Sequence, residues 1–121
     1  MAEHNTTGKI GEEAAVKFLT AAGHEILQCN YRYGRAEIDV ISKHNGLLVF
    51  TEVKTRESNR YGFPEEFVDA KKISLVKRAA EEYVYQQQWE GEVRFDIISV
   101  TLCGNGANIH HIPDAFFYEE E

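Results

Sequence analysis

The stretch AEIDVISKHNGLLVFTEVK, from Ala36 to Lys54, decides how the chain is read. Two runs rich in Ile, Val and Phe, Ala36 to Lys43 and Leu47 to Lys54, meet at Asn45-Gly46. This dipeptide is a strong hairpin signal, because both central positions of the favoured two-residue turn must tolerate positive φ. With that turn, residues facing each other across the hairpin have numbers summing to 91, as His44 and Leu47 do. Asp39 then faces Glu52, Glu37 faces Lys54, and alternation puts all four charged groups on one face of the sheet. A three- or five-residue loop would shift the register by one and send Asp39 and Glu52 to opposite faces.

Directly opposed residues have Cβ atoms about 4.5 to 5.5 Å apart, and like charges there are destabilising. A hard cation would offset the repulsion between Asp39 and Glu52. Mg²⁺ takes oxygen ligands at about 2.0 to 2.1 Å, keeps several waters and prefers one or two carboxylates plus phosphate oxygens. Lys54, two residues along the strand, would project beside such an ion. The plainer reading is an exposed sheet face of alternating charges, on which Glu37 and Lys54 form a weak surface ion pair. Val40, Ile41, Leu47, Leu48, Val49, Phe50 and Val53 weigh against it, since they make both strands apolar enough to be central and covered.

Outward from the hairpin, Glu25 to Tyr33 reads as a preceding strand with a turn around Gly34. Before it, Ala15, Phe18, Leu19 and Ala22 recur at helical spacing over about Lys9 to Ala22, and Gly23 follows where a capping glycine belongs. The helical phase puts Glu12 at the border of the buried stripe and points Glu13 to water. On the other side, Glu57 to Pro64 is polar and reads as an exposed loop. Phe67 to about Gln87 reads as a second helix, with Ile73, Val76, Ala80 and Tyr83 on one side and Lys71, Lys72, Lys77 and Arg78 as a basic flank. Glu92 to Leu102 is a strand, Gly104-Asn105-Gly106 a turn, and Ala107 to Ile112 a last strand before the aromatic tail Phe116-Phe117-Tyr118. The expected class is α/β, a central sheet of about five strands flanked by helices in the order αβββαββ.

The 121 residues, 43% hydrophobic and 27% charged, suit a single globular domain spanning residues 1–121. No apolar run approaches the roughly 20 residues that span a bilayer, and Met1 to Gly8 lacks the pattern of a signal peptide. A cytoplasmic protein with no membrane partner is expected. Cys29 and Cys103 lack metal-ligand spacing and read as small core or strand residues in a reducing compartment, a disulfide being the lesser option. The net charge of −7 argues against a broad basic surface for nucleic acid, although Glu119, Glu120, Glu121 and any metal-binding carboxylates contribute to it. Arg32, Arg35, Arg56 and Arg60, with Tyr31, Tyr33 and Tyr61 among them, suit backbone clamping and base stacking, but ordinary surface loops have the same composition. Arg94 and Asp96 lie two apart on one strand face and read as a structural pair. His110 and His111 point to opposite faces, make poor joint metal ligands and read as structural.

Taken in order, several segments resemble the YraN-like family of bacterial proteins, in the Holliday-junction-resolvase-like branch of the PD-(D/E)xK nuclease superfamily. They are Gly8-x-x-Gly11-Glu12, Asn30-Tyr31-Arg32, Ala36-Glu37-Ile38-Asp39-Val40-Ile41, Leu48 to Arg56, Arg94-Phe95-Asp96, and Ile112 with Asp114-Ala115-Phe116. The resemblance covers nearly the whole chain and implies a restriction-endonuclease-like core with a mixed sheet. It also implies a Mg²⁺ site, with Mn²⁺ as a substitute, held by Asp39 and Glu52, with Glu12 as the acid contributed by the first helix. Lys54 would orient or help deprotonate the attacking water and stabilise charge on the phosphate. Asp39, Glu52, Lys54 and Glu12 are thus the implied catalytic set, and Arg32, Arg35, Arg56 and Lys71 the candidate nucleic-acid contacts. Two positions depart from the family pattern: Ala36 stands where Gly is usual, and Thr51 where Val is usual. Neither removes a charged residue.

The implied activity is Mg²⁺-dependent endonucleolytic hydrolysis of DNA, branched or structured, to a 3′-hydroxyl and a 5′-phosphate, by a homodimer if two strands are cut. Two other classes stay open: a nucleic-acid-binding protein of the same fold with weak or no turnover, and a protein-interaction domain using the acidic surface.

Overall fold

A computed structural model describes residues 2–57, 70–104 and 106–116, with side chains from Thr7 onward. Its elements are α1 (Ala2–Ala21), β1 (Glu25–Tyr33), β2 (Ala36–His44), β3 (Leu47–Arg56), α2 (Ala70–Gln87), β4 (Glu92–Cys103) and β5 (Gly106–Ile112). This is the expected αβββαββ order. The five strands form one sheet in sequence order; β3 and β4 run parallel and every other neighbouring pair antiparallel. A parallel pair needs a crossover, and α2 lies in the connection that supplies it. Among the described residues no helix is long and apolar enough to cross a membrane.

The sheet is covered on both faces. Val76, Ala79, Ala80 and Tyr83 of α2 pack on Ala36, Ile38, Ile41, Leu48, Phe50 and Phe95. Ala15 and Leu19 of α1 pack on Val40, Ile98 and Val100 from the other side. Phe50 and Phe95 stack at 5.6 Å, and Tyr83 meets Phe50 edge-on, so aromatic contacts knit α2 to the central strands.

The hairpin forms as its turn chemistry requires. Asn45 and Gly46 both take positive φ, 52° and 82°, and the pairs run from His44↔Leu47 to Val40↔Thr51, all summing to 91. At the end of α1, Gly23 adopts φ 99°, with His24 N–H donating to Leu19 O at 2.9 Å and Gly23 N–H to Thr20 O at 3.0 Å. That double bond pattern closes the helix and delivers His24 against the sheet.

Helix α1 starts at Ala2 rather than near Lys9. The apolar stripe marks the part that packs on the sheet, and the helical backbone extends beyond it toward the N-terminus. Cys29 and Cys103 lie on strands as expected, but both are exposed rather than in the core, and both are free thiols. Apart from Glu57, the expected loop to Pro64 lies outside the described residues, as do Arg60, Tyr61, the start of the second helix at Phe67 and the tail beyond Phe116.

Candidate metal centre

Halfway along β2 the regular pleat breaks. Ile38 and Ile41 both join the α2-side core while Val40 joins the α1-side core, so Asp39 and Val40 occupy a space where strict alternation allows one residue. Opposite, Asn30 takes φ 54°, and the ladder passes from Cys29↔Val40 to Tyr31↔Ile38 without an Asn30–Asp39 pair. Pairing with β3 also stops at Val40↔Thr51. Released from both neighbours, Asp39 accepts through Oδ2 the backbone N–H of Val53 at 2.8 Å. Its carboxylate therefore takes the place of a ladder carbonyl, next to Glu52.

Glu52 is 2% exposed, on the face covered by α2. Its Oε1 lies 3.2 Å from the Lys72 ammonium, and its Oε2 is buried without a hydrogen-bond partner among the described residues. A buried carboxylate oxygen left bare costs on the order of 1–3 kcal/mol or more. Burial pushes both carboxyls up. That of Asp39 reaches about 7, through burial first and then the fields of Glu52 and Glu12, against the pull of the Val53 N–H and Lys72. For Glu52, burial outweighs the opposing pull of Lys72 and Lys54. Burial works against the Lys72 ammonium too, but Glu52, Asp39 and Glu37 outweigh it and hold its pKa above the usual lysine value.

Glu12 stands at the margin. Its Oε1 accepts a hydrogen bond from Asn30 Nδ2 at 3.2 Å, and its negative charge adds to the upward push on the Asp39 carboxyl. Among the described residues, no three His, Cys, Asp or Glu side chains converge closely enough to enclose a cation by themselves. Glu12 and Lys54 share the wall of a shallow groove of about 240 Å³ with Thr7, Gly8, Val53 and Thr55. Of the two motif glycines, Gly8 has open space where a Cβ would stand, whereas at Gly11 a Cβ would fall 1.7 Å from Thr55 Oγ1. Helix α1 thus lies against β3 at a distance only glycine permits.

The Glu37–Lys54 pair of the plainer reading is not found among the described residues. Glu37 instead faces Arg32 across β1 and β2, at 3.8 Å between Oε2 and Nε. The lysine that meets Glu52 is Lys72, a member of the basic flank of the second helix, and not the candidate contact Lys71. Helical phase points to it: Lys72 precedes Val76 by four residues and Tyr83 by eleven, about 40° and 20° from each. Lys71, about 100° away, is exposed.

The other candidate contacts gather at one end of the sheet, where β2 begins and β3 stops. Arg32 is near the end of β1, Arg35 in the turn to β2, Arg56 closes β3, and Lys71 opens α2. Glu25, Glu90 and Glu92 stand at the opposite end. Glu37 and Glu57 stand among these basic residues and Lys43 opposite Glu25, and the Asp39–Glu52 pair lies toward the end that carries the four basic candidates.

A second buried carboxylate, Asp96, lies on the α1 side. It receives Arg94 Nε at 2.8 Å and Nη2 at 2.9 Å, the Asp114 N–H at 3.0 Å, and pairs with His111 Nε2 at 2.7 Å. Arg94 and His111 are structural, as expected, and His110 points outward.

Comparison with known proteins agrees with the motifs. The family model described as "Uncharacterised protein family UPF0102" matches residues 11–100. The chain belongs to this family. A UPF0102 protein of Christiangramia forsetii is 48% identical over 98% of this chain and 99% of its own length. One from Flavobacterium psychrophilum is 44% identical with the same coverage, and one from Bacteroides thetaiotaomicron is 44% identical over 97% of each chain. UPF0102 is the YraN-like family that the ordered motifs implied. Its matched segment, 11–100, contains Glu12, Asp39, Glu52, Lys54 and Lys72.

Proposed function

We propose that this UPF0102 protein is a Mg²⁺-dependent endonuclease of the Holliday-junction-resolvase-like PD-(D/E)xK type, acting on DNA phosphodiester bonds in the cytoplasm. The observation that carries this is Glu52 Oε2, a buried carboxylate oxygen without a hydrogen-bond partner among the described residues, close enough to Asp39 for the two charges to act on each other. Two carboxylates from adjacent strands, one with an open oxygen, fit a hard cation that needs only one or two protein oxygens. Asp39 and Glu52 would hold it, with Glu12 entering from α1. Mn²⁺ would occupy the same donors.

When bound, the ion supplies positive charge for the phosphate oxygens and acidifies water. The chain's own groups do the rest. The Val53 N–H fixes the Asp39 carboxylate, so its direction is set before substrate arrives. Lys54, on the groove wall, can orient the attacking water and donate to the phosphate. Arg32, Arg35, Arg56 and Lys71 at the same end supply backbone contacts despite the acidic total. If both strands of a branched substrate are cut, a homodimer brings the second site.

One observation favours a second reading, a DNA-binding protein with little or no turnover: Glu12 is held by Asn30, and no third acid completes the pair among the described residues.

The test is calorimetric titration of Mg²⁺ and Mn²⁺ into wild type and Asp39→Asn, then cleavage assays on linear, flapped and four-way-junction DNA. Metal binding and cutting that both vanish in Asp39→Asn support the nuclease. DNA binding without cutting selects the second reading. No metal binding by the wild type sinks the site.

A further inference from the structure

The two oxygens of Glu52 meet different surroundings. Oε1 has the Lys72 ammonium at 3.2 Å, and Oε2 has no hydrogen-bond partner among the described residues. Lys72 comes from the first turn of α2, an element that supplies none of the implied metal ligands. Beyond that contact, the charges of Asp39 and Glu37 also act on the Lys72 ammonium. That is the position in which a divalent cation would collect.

An ammonium and a hard divalent ion compete for the same oxygens, but differ in charge and approach. The ion carries twice the charge and draws oxygens to about 2.1 Å, closer than any N–H donor comes. The Lys72 side chain is 39% exposed, against 2% for Glu52, so its flexible stem can carry the charge out toward solvent without backbone movement. Breaking a buried pair by deleting one partner costs several kcal/mol, whereas exchanging one cation for another leaves Glu52 compensated.

We propose that Lys72 is the resident counter-ion of the Glu52–Asp39 pair, holding the two carboxylates together before a divalent cation arrives and yielding Glu52 to it. This rests on the metal-site reading above. Lys72 is then a positioning residue, and wild-type metal affinity is lowered by the energy of displacing it. The site is assembled before metal arrives, and metal uptake should be selective against weakly attracted cations.

The experiment is Mn²⁺ and Mg²⁺ titration by calorimetry, with thermal unfolding with and without Mn²⁺, on full-length wild type, Lys72→Met and Lys72→Arg. Removing a positive charge a few ångströms from the ion should tighten Mn²⁺ binding by Lys72→Met about tenfold. The same variant should have a lower Tm without metal and a larger upward shift with it. Lys72→Arg, which keeps the charge, should stay close to wild type in both. If Lys72→Met is unfolded alone, Mn²⁺ should restore a cooperative transition, and failure to do so overturns the proposal. Unchanged or weaker Mn²⁺ binding by folded Lys72→Met also overturns it, and leaves the metal site standing. Absence of binding in all three proteins overturns both.

Discussion

Asp39 and Asp96 flank the same central strand from either side, yet their surroundings are opposite. Asp96 is fully buried, with both oxygens engaged by Arg94, His111 and the Asp114 N–H. Burial alone would raise its pKa, but those donors hold its carboxyl below the usual range. Asp39 keeps part of its surface exposed, has the Val53 N–H and an acidic neighbour, and its pKa rises to about 7. Depth of burial therefore does not separate a structural carboxylate from a candidate functional one. The supply of donors does, because each donor removes a reason to bind anything else.

The comparison breaks most visibly at Asp96. Asp96→Ala should cost about 3–5 kcal/mol, since it leaves the Arg94 guanidinium half-buried beside an empty site. Against a total of about 5–15 kcal/mol, urea unfolding should show a protein close to its limit. A loss under about 1 kcal/mol would mean that the network is ornamental.

The same side of the sheet should also be acid-sensitive. His24 bonds Ser42 Oγ through Nδ1 at 2.8 Å and stacks on His44 at 4.1 Å, and burial, then His44, lower its pKa from 6.5 to about 4. The unfolded chain therefore takes up a proton first as pH falls. Stability is full above about pH 6.5, drains between there and about pH 4, and the whole loss is roughly 3 kcal/mol. Unfolding midpoints across this range should slope less steeply in His24→Gln; equal slopes would remove His24 as the cause.

At Asp39 the sign should reverse. With chelator present, Asp39→Asn should raise stability by about 1–2 kcal/mol, because it removes a like-charge neighbour from Glu52. A loss as large as that of Asp96→Ala would show the two aspartates to be equivalent. The smallest effect is expected at Thr51, whose buried Oγ1 has no hydrogen-bond partner among the described residues. Thr51→Val, which removes that hydroxyl at nearly constant shape, should gain about 1 kcal/mol in the same assay.

The strands were legible because their boundaries are local. Asn45-Gly46 fixes the hairpin register through its own backbone preference, and observed β1 matches the expected strand residue for residue. The Arg94–Asp96 pair was legible for the same reason, being two apart on one strand. The break at Asp39 was not, because it arises where two neighbouring strands lose pairing together, and nothing in the Ile-Asp-Val sequence announces it. The Glu52–Lys72 pair spans the crossover, so cross-strand arithmetic could not find it. Helical phase places Lys72 on the packed face, but an amphipathic pattern normally assigns lysine to water.

Gly11 carries a last consequence. Since a methyl group there would overlap Thr55 Oγ1, the gap between α1 and β3 is fixed by a missing side chain, and Glu12 is the next residue along. The position acts as a spacer of zero thickness. Any added bulk would lift the helix and carry its acid away from the strand, so the reach of Glu12 is governed by a neighbour with no chemistry of its own.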